Sequence, residues 1–182
     1  MLDRSRAYGR SPGHLKPTAL DASAHHYWLM RRVLAQALET PEWPASLRPI
    51  PFSADIAVEA HQLLMLGRQL GGGQVADFQP WMDAFDLDPE CDRQLVFVIV
   101  DASGVAGVAQ CWTSAFIRNL AVHPRVQGQG VGRRLLEMAF AAFRQRRESH
   151  VDLKVLESNL TARRLYERVG MEYVWRAELD PA

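Results

Sequence analysis

A mixed α/β fold, with helices packed on one sheet, is predicted by three features of the 182-residue sequence. Strand-length apolar runs alternate with amphipathic stretches. Their order reads strand, two helices, three strands, helix, strand, helix, strand. The three central strands are joined by links too short for a crossover, so they must run antiparallel. The length suits one domain with a proper core. A hydrophobic fraction of 48%, a charged fraction of 23% and a formal net charge of +0 are ordinary for a folded chain and announce neither nucleic acid nor membrane as a partner. The start of the chain carries Arg4, Arg6 and Arg10 without the apolar core of a signal peptide. Charges interrupt every later apolar run well short of the ~20 residues a membrane helix needs, so a cytoplasmic location is expected. Cys91 and Cys111 lack metal-ligand spacing, and neither they nor the histidines His25, His26 and His61 suggest a metal.

Residues 1–17 read as a flexible leader, punctuated by Pro12, Gly13 and Pro17. Residues 18–45 read as an N-terminal helical extension: Tyr27, Met30, Leu34 and Leu38 recur at helical spacing after a Ser23 cap, and Pro41 and Pro44 end the run. The main domain is expected over 46–182. Leu47 to Phe52 is its first strand, confined to a sheet edge because Pro49 and Pro51 have no N–H to donate. Ser53 opens a helix with Ile56, Ala60, Leu63 and Leu64 on one stripe, ended by Gly71 to Gly73. Phe78, Trp81, Met82 and Phe85 mark a short second helix with Pro80 at its start. Leu95 to Val100, Val105 to Trp112 and Phe116 to Val122 form the meander, turned by Asp101 to Gly104 and by Thr113-Ser114. A helix from Val131 buries Leu135, Leu136, Ala139, Phe140 and Phe143. Val151 to Leu156 is the next strand. A last helix begins at Ser158 or Asn159, buries Ala162, Leu165, Tyr166 and Val169, and stops at Gly170, before a final strand over 171–179.

The chemistry concentrates in Gln127-Gly128-Gln129-Gly130-Val131-Gly132, between a strand end and a helix start. Unpaired N–H groups and the helix dipole make such a junction an anion site, and glycine lets the backbone approach a pyrophosphate closely. Arg133 can add a charge. The P-loop is excluded because Gly132 is followed by Arg133 and Arg134 where Lys and Ser or Thr are needed. The dinucleotide fingerprint fails because its third glycine would fall on Arg133, and the preceding strand belongs to a meander.

Leu120-Ala121-Val122-His123-Pro124 followed by Gln127-x-x-Gly130-x-Gly132 resembles the acetyl-CoA signature of the GNAT family of N-acetyltransferases. Asn159, Ala162, Tyr166 and Gly170 resemble the family's closing motif, and the likeness runs from about Leu47 to the C-terminus. The resemblance implies the GNAT acyl-CoA N-acyltransferase fold, a mostly antiparallel central sheet whose strands splay around CoA. It implies acetyl-CoA as co-substrate, an amine as acceptor and no metal. Pantetheine would pair with the main chain of Leu120 and Val122 in the gap between Phe116–Val122 and Val151–Leu156. Asn159 and Tyr166 would complete the cofactor site, with Tyr166 protonating the departing sulfur. Two departures stand out: Gln127 replaces an arginine common in the family, and the strand Phe116–Val122 has Arg118 and Asn119 where many members carry a glutamate base. A family-like seventh strand is either missing or contributed otherwise.

The general base is therefore unassigned, with Glu157 and His123 as candidates that also have ordinary structural roles open to them. The acceptor is an unidentified small molecule or peptide amine. Asp77, Asp83, Asp86, Asp88, Glu90 and Asp92 beside Phe78, Trp81 and Phe85 suit a cationic acceptor, or form a solvated acidic face. The competing reading is a non-catalytic acyl-CoA-binding module of the same fold. Association into a homodimer is left open.

Overall fold

Among the described residues, seven strands form one sheet in the order β2-β3-β4-β5-β6-β1-β7. The computed structural model describes residues 26–34, 43–71 and 74–178. Its strands are β1 (His26–Val33), β2 (Arg48–Pro51), β3 (Cys91–Asp101), β4 (Gly104–Trp112), β5 (Phe116–Val122), β6 (His150–Leu156) and β7 (Glu172–Glu178). Among the described residues the helices are α1 (Ala54–Gly71), α2 (Phe78–Leu87), α3 (Val131–Gln145) and α4 (Leu160–Arg168), with a short 3₁₀ turn at Pro124–Val126. The proline-bearing β2 lies at the sheet edge, where its missing donors cost nothing. All neighbouring strands pair antiparallel except β5 with β6.

The segment read as an appended helix is corrected: His26–Val33 is a strand, paired antiparallel with β6 on one side and β7 on the other. Helical spacing of Tyr27, Met30 and Leu34 misleads here for a physical reason. A strand inside a sheet covered on both faces buries consecutive residues, and Leu29 and Met30 are both buried. A register shift against β7 at that same pair breaks the period of two further. The leader, Ser23 and Leu38 lie outside the described residues. The expected final strand is present as β7, and β1, from the N-terminal part of the described residues, lies between it and β6.

Two helix layers sandwich the sheet, and β3 shows the division residue by residue. Val96, Val98 and Val100 pack with Ala57, Ala60 and Leu64 of α1 and Trp81 and Phe85 of α2. Leu95 and Ile99 point the other way, where α3 contributes Leu135, Leu136, Phe140 and Phe143, and α4 contributes Tyr166. Close approach is built from small residues. A Cβ on Gly67 of α1 would stand 2.8 Å from Cβ of Ala121, and one on Gly107 of β4 would stand 2.9 Å from Val131 and Leu135 of α3. Met30 is fully buried in the α3–α4 layer. Met30→Ala is therefore expected to cost about 2–5 kcal/mol, as for truncation in a packed core, measured by urea unfolding. A cost under about 0.5 kcal/mol would mean the segment does not belong to the core.

Candidate functional site

The site begins with a defect in the sheet. Between β4 and β5, Gln110 pairs with Asn119 and Cys111 with Ile117, which leaves Arg118 as an extra residue on β5. Its guanidinium lies over the Trp112 ring, 4.9 Å from the centroid. A bulge of this kind increases local twist and ends pairing. Consistent with that, β5 meets β6 only at Phe116↔Asp152 and Ile117↔Leu153, after which the two strands part. His123 N–H donates to Ala106 O of β4. By strand alternation Asn119 and Ala121 also direct their main-chain groups to β4, so Leu120 and Val122 direct theirs into the gap. The carbonyl of Val122 accepts a 3.1 Å bond from the Gln127 side-chain amide, so a ligand there would share or displace that donor.

At the end of β5 the chain is pinned before it reaches the glycines. Arg125 donates to both carboxylate oxygens of Asp101 at 2.8 and 3.1 Å and to the carbonyls of Gly104 and Val105. The Arg125 guanidinium in turn holds the Asp101 carboxyl below its ordinary value. His123 Nδ1 accepts from Arg125 N–H, capping the 3₁₀ turn, so one candidate base has a structural task. Gly128 and Gly130 both adopt left-handed backbone, at φ +79° and +78°, where glycine is unstrained. Gly130 occupies the N-cap of α3 and offers no side chain to its first N–H groups, and the first turn contains no acidic residue. The N-terminal partial charge of α3 therefore faces the loop uncompensated by the chain. A Cβ on Gly128 would meet nothing within 4 Å, whereas one on Gly132 would stand 3.0 Å from Leu165 of α4. Gly128 thus borders open space, and Gly132 lets α4 close on α3. Gln129 donates its side-chain amide to Arg125 O, and Arg133 pairs with Glu137 at 2.7 Å.

Asn159 is the N-cap of α4, its side-chain oxygen accepting from Ala162 N–H at 3.1 Å. Tyr166 is 8% exposed within the α3–α4 core, directly after the Leu165 that touches Gly132. Burial pushes its phenol up to about 12, so it stays protonated across the neutral range.

Carboxylates near the gap are bound to arginines. Arg31 grips Asp152 of β6 through two bonds of 2.7 Å. Arg176 of β7 grips Glu157 at 2.6 and 3.0 Å, and its hydrogen bonds hold the Glu157 carboxyl below the usual range. An ionised, doubly bonded carboxylate is a weak proton acceptor. Glu157→Gln is accordingly expected to change kcat less than about threefold at neutral pH, since general-base catalysis is worth ~10²–10⁴ when present. A hundredfold loss would make Glu157 the base after all. Two carboxylates of the acidic segment are similarly engaged, Asp86 with Arg93 and Asp92 with Arg146, and Glu90 accepts from Ser114 N–H. No group of three or more His, Cys, Asp or Glu among the described residues is placed to hold a metal ion. No helix among them is long and apolar enough to cross a membrane.

On the α1–α2 side of the gap lies a polar chain that sequence reasoning misses. Trp81 Nε1–H donates to Gln110 Oε1 at 3.0 Å, and Asn119 Nδ2 donates to the same oxygen at 3.0 Å. His61, also buried, bonds the carbonyl of Ala76 and packs against Phe78 and Trp81. The side chains of His61, Trp81, Gln110 and Asn119 come from four different elements, and no motif spacing connects them.

Comparison with known proteins fits this geometry. The model of the Acetyltransferase (GNAT) family matches residues 60–171, more than half of the chain. A [ribosomal protein bS18]-alanine N-acetyltransferase of Haemophilus ducreyi is 30% identical over 104 residues, covering 56% of this chain and 72% of the relative. Its Haemophilus influenzae counterpart is 31% identical over 104 residues, covering 56% and 70%. Among solved structures, a GCN5-related N-acetyltransferase from Sphaerobacter thermophilus superposes with a TM-score of 0.67 at 24% identity, over 87% of this chain. The present chain spans only 53% of that protein's length. The ribosomal-protein-S18-alanine N-acetyltransferase of Escherichia coli superposes at 0.56 with 23% identity, over 71% of this chain and 79% of its own. Likeness at these identities carries the fold.

Proposed function

The chain belongs to the GNAT acetyltransferase family, and from that premise we propose that it transfers the acetyl group of acetyl-CoA to the α-amino group of a peptide or protein N-terminus. The observation that carries the cofactor half is one alignment. The gap between β5 and β6 leads to an α3 N-terminus with two left-handed glycines and no side-chain cap. Pyrophosphate on the N–H groups of Gly128 to Arg133 would satisfy them and the helix dipole together. Pantetheine would then reach down the gap along Leu120 and Val122, bringing the thioester toward the bulge, with Ala121 facing α1, Asn159 capping α4, and Tyr166 following the Leu165 that meets Gly132.

The acceptor half is supported by charge chemistry. Strand β5 has no carboxylate, and Asp152 and Glu157 are held by arginines. A site so equipped suits an amine already neutral in solution. At pH 7.5 roughly a third of α-amines are unprotonated, against about 0.1% of lysine side chains, from their reference pKa values. The relatives named as alanine N-acetyltransferases act on such an amine. In the reaction the amine nitrogen attacks the thioester carbon, the C–S bond breaks, and the amine's extra proton passes to water. The thiolate leaves with a hydrogen bond from the Tyr166 hydroxyl and takes a proton from solvent afterwards.

Release of free CoA thiol from acetyl-CoA tests the proposal with three acceptors: an alanine-initiated peptide, the same peptide blocked at its N-terminus but carrying lysine, and small alkylamines. Turnover of the first alone is expected. Turnover only of the lysine peptide or the alkylamines would overturn the α-amine reading. Saturable CoA binding with no turnover of any amine would favour a binding module, a reading that the arginine-bound carboxylates also fit.

A further inference from the structure

We propose that Asn119 holds the attacking amine, its side-chain Oδ1 presented to the acceptor by a one-way hydrogen-bond relay running from Trp81 through Gln110. The inference rests on the functional reading above and names the residue that orients its acceptor. An indole nitrogen can only donate. Trp81 is 4% exposed and donates to Gln110, itself 4% exposed, so the end of the Gln110 amide facing Trp81 must be oxygen. That same oxygen lies 3.0 Å from the Asn119 amide, which must therefore present its nitrogen. Side-chain amides are ordinarily ambiguous in orientation, and here the indole removes the ambiguity at two successive residues. Asn119 Oδ1 is left as an acceptor that takes no bond from the described residues.

Position makes that acceptor useful. Asn119 is half-buried, two residues past the last β5–β6 rung and next to the bulge, so it stands where the strands part. It shares the α1–α2 face with Gln110 and Ala121, opposite the face that carries α3 and the phosphate loop. With the nucleotide on the α3 side, an amine reaches the thioester from the α1–α2 side. One N–H donated to Asn119 Oδ1 would fix the amine there and leave its lone pair for the carbonyl carbon. An amide oxygen does this without becoming charged, so the contact is independent of pH at that residue. Trp81 and Gln110 are positioning residues, acting only through Asn119.

The test is calorimetric titration of the CoA-saturated protein with an alanine-initiated peptide and with the same peptide N-acetylated, in wild type, Asn119→Ala and Trp81→Phe. Phe keeps an aromatic ring against Phe52 and Phe85 while removing the donor together with the second ring, and the N-acetylated peptide controls for that lost packing. Each variant is expected to weaken the free-amine peptide about tenfold, in line with one lost hydrogen bond, while CoA and the acetylated peptide change less than twofold. Combining both substitutions should weaken it no further than Asn119→Ala alone. Equal weakening of both peptides would make the relay purely structural, and unchanged affinity, or no binding of the free-amine peptide to wild type, would overturn the contact. Wild-type binding without acetyl transfer would instead sink the acetyltransferase reading and leave the amine contact standing.

Discussion

Tyr166→Phe is expected to lower kcat by roughly ten- to a thousandfold while acetyl-CoA affinity and melting temperature barely move. The arithmetic limits what the hydroxyl can do. Its pKa, raised by burial to about 12, lies well above a thiol's ~8.5, so full proton transfer to the leaving thiolate is uphill by about 5 kcal/mol. The hydroxyl must act as a hydrogen-bond donor whose interaction strengthens as charge grows on sulfur. Such a contact stabilises the transition state more than bound acetyl-CoA. Phenylalanine preserves the ring among Phe140, Leu136 and Val169 of the core and deletes only that donor. Because the phenol keeps its proton to about pH 12, the pH–rate profile should show no alkaline loss from Tyr166 in the range where the acceptor amine titrates. The same raised pKa stabilises the fold fully below an unfolded tyrosine's ~10, and that contribution disappears as pH climbs toward the folded value. Steady-state kinetics with thermal melts decide the matter. Unchanged kcat with a lowered melting temperature would make Tyr166 a core aromatic and nothing more.

Gly130→Val should weaken CoA about ten- to a hundredfold, the value of one or two hydrogen bonds to a charged phosphate. Two effects combine. At φ +78° a β-branched residue is strained by roughly 1–2 kcal/mol, which favours relaxation of the N-cap and redirects the first N–H groups of α3. A side chain there also intrudes on the loop: its Cβ would lie 2.6 Å from a guanidinium nitrogen of Arg134, which donates to Gln129 O and lies beside the Trp43 ring. Arg134 is long and can swing aside, so the protein should still fold, melting a few degrees lower. Calorimetry with CoA separates the effects. CoA affinity within twofold of wild type, at the same loss of stability, would show that the loop seats no phosphate.

How much of this could be read without coordinates depended on how far apart in the chain the cooperating residues lie. Local features were legible. Gly170 has the left-handed backbone that its place just past a helix favours, and Asn159 caps α4 as its position before an amphipathic run suggests. The hairpin at Asp101–Gly104, the edge placement of β2 and the α3 stripe follow from turn chemistry, missing donors and periodicity of neighbouring residues. Each is decided within a few residues, so a single sequence contains the whole cause.

Tertiary structure alone decided what β1 is and what the polar groups do. The segment His26–Val33 has apolar residues at a spacing that suits a helix, and only the slot between β6 and β7 makes it a strand. Glu157 looks available in the sequence, yet it meets Arg176 across 19 positions, and Asp152 meets Arg31 across 121. The direction of the Asn119 amide depends on an indole in α2 acting through a glutamine in β4. Sequence by itself therefore determined the elements from β2 onward and the glycine loop, because backbone preferences there are local. The fold decided which side chains remain free to meet a substrate, because pairing of charges and amides depends on distance in space.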